Sequence, residues 1–454
     1  MQQGWIEELY VKPQVFFKFY GFEWVEVLSP LGMYALYGLI ALSAGCIMLG
    51  WYYRWATVAF FLTFSYSELI DSTNYLNHYY LVCLLALLLI FLPAHKAYSF
   101  DVGLRRVKRQ LKVPAWTINC IILQVSLVYC FAGFAKLNSD WLFRAMPLAI
   151  WLPTKADWPL IGALFSQSWT AYVFSWAGAL YDLTIPFFLL HPKTRPFAYG
   201  AVIIFHVLTK MLFNIGLFPF IMIFNTLIFF SEGWHEKVWQ SLDRLLQKGS
   251  NRFQASLALL SGRIAFVNFS QPVSTRFSSD TTEELSRPSS TNESHQLSPL
   301  WKRPLLPVAL GLFFLLQLSL PFRYLAYPGN ILWTEEGYRF AWRVMLVEKV
   351  GQATFYIEDA QTGRKTEVNN QDYLTTFQEK QMSIQPDMIL QYAHFLAKEY
   401  QAKYQFEQAI VTVDSHVALN GRRSQRFIKP DVDLASIKDG WAPKTWIIPF
   451  QYDH

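Results

Sequence analysis

The chain has 454 residues, 53% apolar and only 16% charged, with a formal net charge of +6. Several apolar runs reach the ~18 residues of a transmembrane helix, which excludes an ordinary soluble enzyme. The positive balance then belongs to loops at a membrane rather than to nucleic-acid recognition. The 17 Trp and 24 Tyr suit aromatic belts at two bilayer interfaces.

In chain order, Met1 leads into "QQGWIEELYVKPQ", which has neither the basic nor the apolar region of a cleavable signal. Apolar segments follow at 28–50, 56–71, 75–93, 115–136, 170–191, 196–213, 216–231 and 304–321, a count of eight spans. Arg54, the run from Lys96 to Lys112, the pair Lys193 and Arg195, and the linker after the seventh span carry the basic loop charge. They place those four loops in the cytoplasm. Segments 1–27, 72–74, 137–169 and everything after 322 then lie on the other face. A chain that starts outside without a signal is unusual, and one more helix upstream of Met1 would account for it. The expected fold is an all-α polytopic membrane bundle followed by a small α+β domain. Its parts are a transmembrane domain with interfacial helices at 1–232, a disordered cytoplasmic linker at 233–303, a last span at 304–322, and a soluble non-cytoplasmic domain at 323–454. The linker is read as disordered because "SSDTTEELSRPSSTNESHQLSP" is polar and aperiodic. In the last part, "ATFYIEDAQTGRKTEV" reads as a hairpin, "PDMILQYAHFLAKEY" as a helix and "QAIVTVDSHVAL" as a strand. No internal repeat is visible.

Polar residues within the spans mark the candidate chemistry. "NYLNHYYL" carries Asn77 and His78 into the first turn of the third span, where such groups face protein or a wet cavity. His78 suits proton chemistry or, alternatively, a cap between helices. In "YCFAGFAKLNSDW", Lys136 ends the fourth span. It is either a lysine that snorkels to water or, if desolvated, a neutral amine base. Gly133 allows close approach to this helix, and Asn138, Ser139 and Asp140 cap its end or shape a pocket mouth. In "IIFHVLTKMLFNIGLFPF", His206, Lys210 and Asn214 recur at i, i+4 and i+8, as a site wall or as interhelical hydrogen bonding. In "VDSHVALNGRRSQRF", a basic cluster including Arg422 either receives a carboxylate or is a solvated turn. Cys46, Cys83, Cys120 and Cys130 lie in spans without a CxxC pair, as small core residues. No phosphate-binding glycine loop, HExxH, GxSxG or carboxylate-rich metal motif occurs, and no metal site is expected.

"NHYYLVCLLALLLIFLPAHKAYSFD" and "VPAWTINCIILQVSLVYCFAGFAKLNSDW" resemble the vitamin K-dependent gamma-glutamyl carboxylase family, which includes bacterial proteins with a horizontally transferred transmembrane domain. The likeness continues through "FHVLTKMLFNIGLFPF", "YRFAWRVMLVEK", "PDMILQYAHFLAKEY" and "FIKPDVDL". It implies that vitamin K hydroquinone (reduced phylloquinone or menaquinone) is oxidised by O2 to the epoxide. The base so formed takes a γ-proton from a peptide glutamate, which then adds CO2. Lys136 matches the base of the family's lysine motif. His78, with Asn77 beside it, matches a residue that positions reacting groups, and His206 matches the family's "FH" histidine. With Asn214 and Arg422 these complete the candidate substrate-binding set. The implied partners are a glutamate-containing peptide or protein and the lipid bilayer, with a bacterial inner membrane as the setting. Three departures from the resemblance are read: the animal enzymes' longer C-terminal part, the further span that family members usually have ahead of "GWIEELYVKP", and the animal enzymes' disulfide are not matched in this sequence. Other readings are a quinone epoxidase without efficient carboxylation, a non-catalytic quinone- or lipid-binding protein, and a transporter component.

Overall fold

The structure, a computed structural model, describes residues 4–213, 215–260 and 305–452. Helices α1 (Pro30–Leu49), α2 (Tyr53–Ile70), α3 (Asn77–Phe91) and α4 (Ala115–Ala135) are followed by a short α5 (Ser139–Arg144). Then come α6 (Ser168–Leu190), α7 (Arg195–Leu212), α8 (Phe218–Asn225), α9 (Glu232–Leu260) and α10 (Leu305–Ser319). Local chemistry sets the boundaries. Ser29 caps α1 through its side chain, Pro30 opens the helix, and Gly50 closes it in the left-handed region at φ 62°.

All eight expected segments are helical, but among the described residues only four helices are long and apolar enough to cross a membrane. These are α1, α4, α6 and α10 with its continuation to Ala326. The count of eight is therefore corrected. With 15 residues, α3 rises about 22 Å, short of a ~30 Å hydrocarbon core. Polar side chains such as Glu68 and Lys210 dilute α2 and α7. Residues Phe218–Phe229 form a shorter apolar helix.

The chain divides into two compact units, Met1–Phe229 with Phe313–His454, and Phe230–Leu312. In the second, α9 corrects the expectation of disorder for the start of the linker. Trp234, Val238, Leu242 and Leu245 recur at helical spacing there. Positions 261–303 of the linker lie outside the described residues.

Within the first unit, loops assigned to one face touch one another. Asp101, on the basic segment after α3, accepts the backbone N–H groups of Tyr52 (3.0 Å) and Tyr53 (3.1 Å) at the start of α2. Arg106 stands 4.0 Å over the Tyr52 ring. On the opposite loops, Ser72 donates to Phe17 O (2.7 Å), and Gln378 to Val15 O (2.7 Å) and Asp71 (3.1 Å).

The C-terminal part holds β1 (Lys349–Asp359), β2 (Lys365–Glu367), β3 (Ala409–Leu419) and β4 (Gln425–Arg426) in an antiparallel sheet of order β2-β1-β3-β4. The hairpin β1–β2 falls on the expected segment, turning near Gly363 at φ +66°. Phe355 faces Val413 and Ile357 faces Val411, all buried. Helices α11 (Thr376–Met382) and α12 (Pro386–Tyr404) cover this sheet. The α12 face buries Met388, Tyr392 and Leu396, with the Tyr392 ring edge-on to Phe355 at 4.9 Å. Each such large side chain contributes about 1.5–3 kcal/mol by burial.

Candidate functional site

The end of α4 assigns each polar residue of "KLNSD" a separate task. Asn138 donates to the otherwise orphaned carbonyl of Ala135 (2.9 Å) and accepts the N–H of Trp141 (3.0 Å), closing α4 and opening α5 together. Lys136 is buried, with 6% of its surface exposed, so it is not a lysine that snorkels to water. Its Nζ donates to Asp182 Oδ2 at 2.7 Å, reaches Ala132 O at 3.4 Å, and lies 5.2 Å from the Trp141 ring. Trp141 is itself fixed by its indole N–H on Ser175 O (2.7 Å).

Asp182 reaches Lys136 because α6 runs very close to α4. A Cβ added at Gly133 would stand 2.8 Å from Leu183 Cγ and 2.9 Å from its backbone nitrogen. Only glycine permits that approach without displacing backbone. Among the described residues, the Asp182 carboxylate hydrogen-bonds Lys136 alone.

Lys136 and Asp182 border a cavity of about 420 Å³ whose wall is overwhelmingly apolar. Tyr129, Tyr181, His206, Thr209 and Trp141 supply the other polar groups around it. Tyr129 Oη and His206 Nε2 share a hydrogen bond of 3.0 Å, whereas His206 Nδ1 has no partner among the described residues. Val173, Ala177, Ala201 and Ile204 line the cavity and are also exposed on the outward faces of α6 and α7. The cavity thus has an apolar side window where a bilayer would lie.

The other candidates from the sequence occupy different places. His78 is buried but does not line this cavity. Phe218 stands between it and His206, with ring centroids 5.9 and 5.7 Å away. His78 Nε2 lacks a partner among the described residues and lies 3.8 Å from where a Cβ on Gly216 would stand. Asn77 accepts from Tyr75 Oη (3.0 Å) and donates to Arg343 O (3.2 Å). It thereby anchors the strip whose next residues, Val344 and Met345, border the cavity. Lys210 caps Gly216 O at 3.0 Å, and Asn214 lies outside the described residues.

Arg422 already holds a carboxylate from within the chain, in place of the open receptor read from the basic cluster. Its Nη1 donates to Asp140 Oδ2 (2.8 Å) and its Nη2 to Oδ1, while Asn420 adds a third bond (2.9 Å). Burial alone would raise the Asp140 carboxyl, but Arg422 and Asn420 outweigh it and hold the group below its ordinary range.

Tyr129, Tyr181 and Asp182 are not among the sequence candidates. Asp182 had a usable signal, since an acidic residue inside an apolar span marks a functional site by default. Among the described residues no cluster of His, Cys, Asp or Glu has the makings of a metal site. The four cysteines are free thiols.

Residues 1–234 match the family model of the HTTM domain. Residues 302–453 match that of the vitamin K-dependent gamma-carboxylase, lumenal domain. The chain belongs to the vitamin K-dependent gamma-carboxylase family. It is a membrane protein with a lumenal C-terminal domain, the face to which loop charge assigns 323–454. No solved structure matches it.

The cavity fits the family's hydroquinone on its own chemistry. Its volume falls in the ~300–1,000 Å³ range of small-molecule sites. Its wall is apolar, and an ion pair and an imidazole nitrogen without a partner among the described residues stand at its edge.

Proposed function

We propose that the chain is a vitamin K-dependent gamma-carboxylase-like enzyme whose hydroquinone site is the cavity between α4, α6 and α7. The observation that carries this reading is the buried Lys136–Asp182 pair at the edge of an apolar volume with a side window. When bound, vitamin K hydroquinone supplies, with O2, the strong base that takes the glutamate γ-proton before CO2 adds.

The chain's own residues do the rest. Lys136 accepts a hydroxyl proton together with its carboxylate partner, at a place where the wall excludes water. Tyr129 and His206 hydrogen-bond each other beside the cavity, and Nδ1 of His206 remains for a substrate oxygen. His78, across Phe218, serves the glutamate side of the reaction from a second position. The apolar rim of Val173, Ala177, Ala201 and Ile204 admits a lipid-soluble ligand sideways, while a peptide glutamate comes from the lumenal domain's side.

The test uses membranes containing the protein, reduced phylloquinone or menaquinone, oxygen, labelled bicarbonate and a glutamyl peptide. Epoxide together with fixed label supports the full reaction. Epoxide without label reduces it to the epoxidase. Neither product, where an animal carboxylase works in parallel, sinks both.

A further inference from the structure

The partner of Lys136 raises a question of proton accounting. A buried carboxylate 2.7 Å away and the C-terminal end of α4 both draw positive charge to Nζ. An ammonium has no lone pair with which to take a proton. Amine with carboxylic acid, and ammonium with carboxylate, are however the same net-neutral state of the pair. An apolar wall favours that state over a single uncompensated charge. The net-neutral pair takes up one proton, and in its ionised arrangement the accepting atoms belong to Asp182.

We propose that Asp182 is the terminal proton acceptor of the site: Nζ of Lys136 passes its proton to the Asp182 carboxylate as it takes one from the substrate oxygen. This rests on the reading of the cavity as the hydroquinone site. In the step, a substrate O–H bond breaks and its electron pair stays on that oxygen. An O–H bond forms on the Asp182 carboxylate by passage over Nζ, and no other reactant is consumed. The neutral pair becomes cationic next to the new anion, so the separated charges stay in contact. Three observations support it. Asp182 borders the cavity itself. Its carboxylate is bonded, among the described residues, by Lys136 alone. Gly133 lets α6 run so close to α4 that the residue beside Asp182, Leu183, packs on the α4 backbone one turn from Lys136.

The experiment compares Asp182→Asn, Asp182→Glu and Lys136→Ala in the full chain in lipid nanodiscs. Asp182→Asn keeps the shape and removes the acceptor, and its epoxidation is expected to fall about 100-fold or more. Asp182→Glu is expected to recover most of that loss. A lone lysine base requires the opposite, because removing the carboxylate frees the amine. A second readout needs no turnover: infrared difference spectra on adding hydroquinone without oxygen. A protonated-carboxyl band is expected in the wild type and none in Asp182→Asn. Wild-type epoxidation in Asp182→Asn, or no such band in the wild type, overturns the proposal. If only Lys136→Ala is inactive, this inference alone fails. If both variants match the wild type, the reading of the cavity fails with it.

Discussion

Lys136 and Asp140 flank Asn138, and each enters a buried ion pair of a different kind. Asp140 is fully engaged, with two bonds from Arg422, one from Asn420 and Arg144 at 3.6 Å. Asp182 receives Lys136 alone among the described residues and borders a cavity. The first pair, saturated at the junction with the lumenal domain, fixes structure. The second, sparsely bonded beside an apolar volume, keeps capacity for a ligand. Breaking either pair costs stability, but only one should carry chemistry.

The largest effect on activity is expected from Lys136→Ala, with epoxidation falling by about 10²–10⁴, well beyond what the accompanying loss of stability from the broken pair explains. Small added amines should restore part of it. A fully active Lys136→Ala would remove the contrast between the pairs. Arg422→Ala strands Asp140 and should destabilise the protein by about 3–5 kcal/mol, read by thermal unfolding and by proteolysis of the lumenal domain. Should Arg422→Ala instead stay as stable as the wild type and lose only peptide carboxylation, Arg422 is a substrate group after all.

Gly133→Ala pushes on Leu183, and overpacking of this kind costs about 1–3 kcal/mol. Since Leu183 adjoins Asp182, a weaker hydroquinone affinity should accompany the lowered stability; unchanged binding would show that the close helix approach does not shape the site. The Asp140 pair also has a pH signature. Its folded pKa is lowered, so its contribution is complete above the ordinary carboxylate range, about 4. The contribution is lost as pH falls through the lower folded value. An acid titration of stability should therefore be flatter in Asp140→Asn, and equal slopes would deny the pair its role. The smallest effect is expected from Arg426→Ala, whose exposed bridge to Asp414 spans 3.2 Å. Its stability should change by about 0.5 kcal/mol or less.

Periodicity made much of the fold legible. The hairpin, α12 and β3 fall where alternation and helical spacing put them, because each buries one face. The number of spans was not legible, since a helix such as α3 is as apolar as a true crossing but too short, and one such as α7 is long enough but diluted by polar side chains. Lys136 announced itself by its place in a motif, but its partner lies 46 residues away on another helix. That distance is closed by the contact at Gly133, which no local pattern records. The partner of Arg422 was hidden for the same reason. A basic cluster reveals its charge, whereas the carboxylate that meets it, Asp140, is 282 residues distant.

The most direct measurement is photo-crosslinking with a naphthoquinone that bears a light-activated group, followed by peptide mapping in competition with unlabelled vitamin K. Labelling is expected on peptides covering 128–136, 173–182 and 201–213, abolished by the competitor. Competable labelling confined to other segments would contradict the assignment of this cavity as the hydroquinone site.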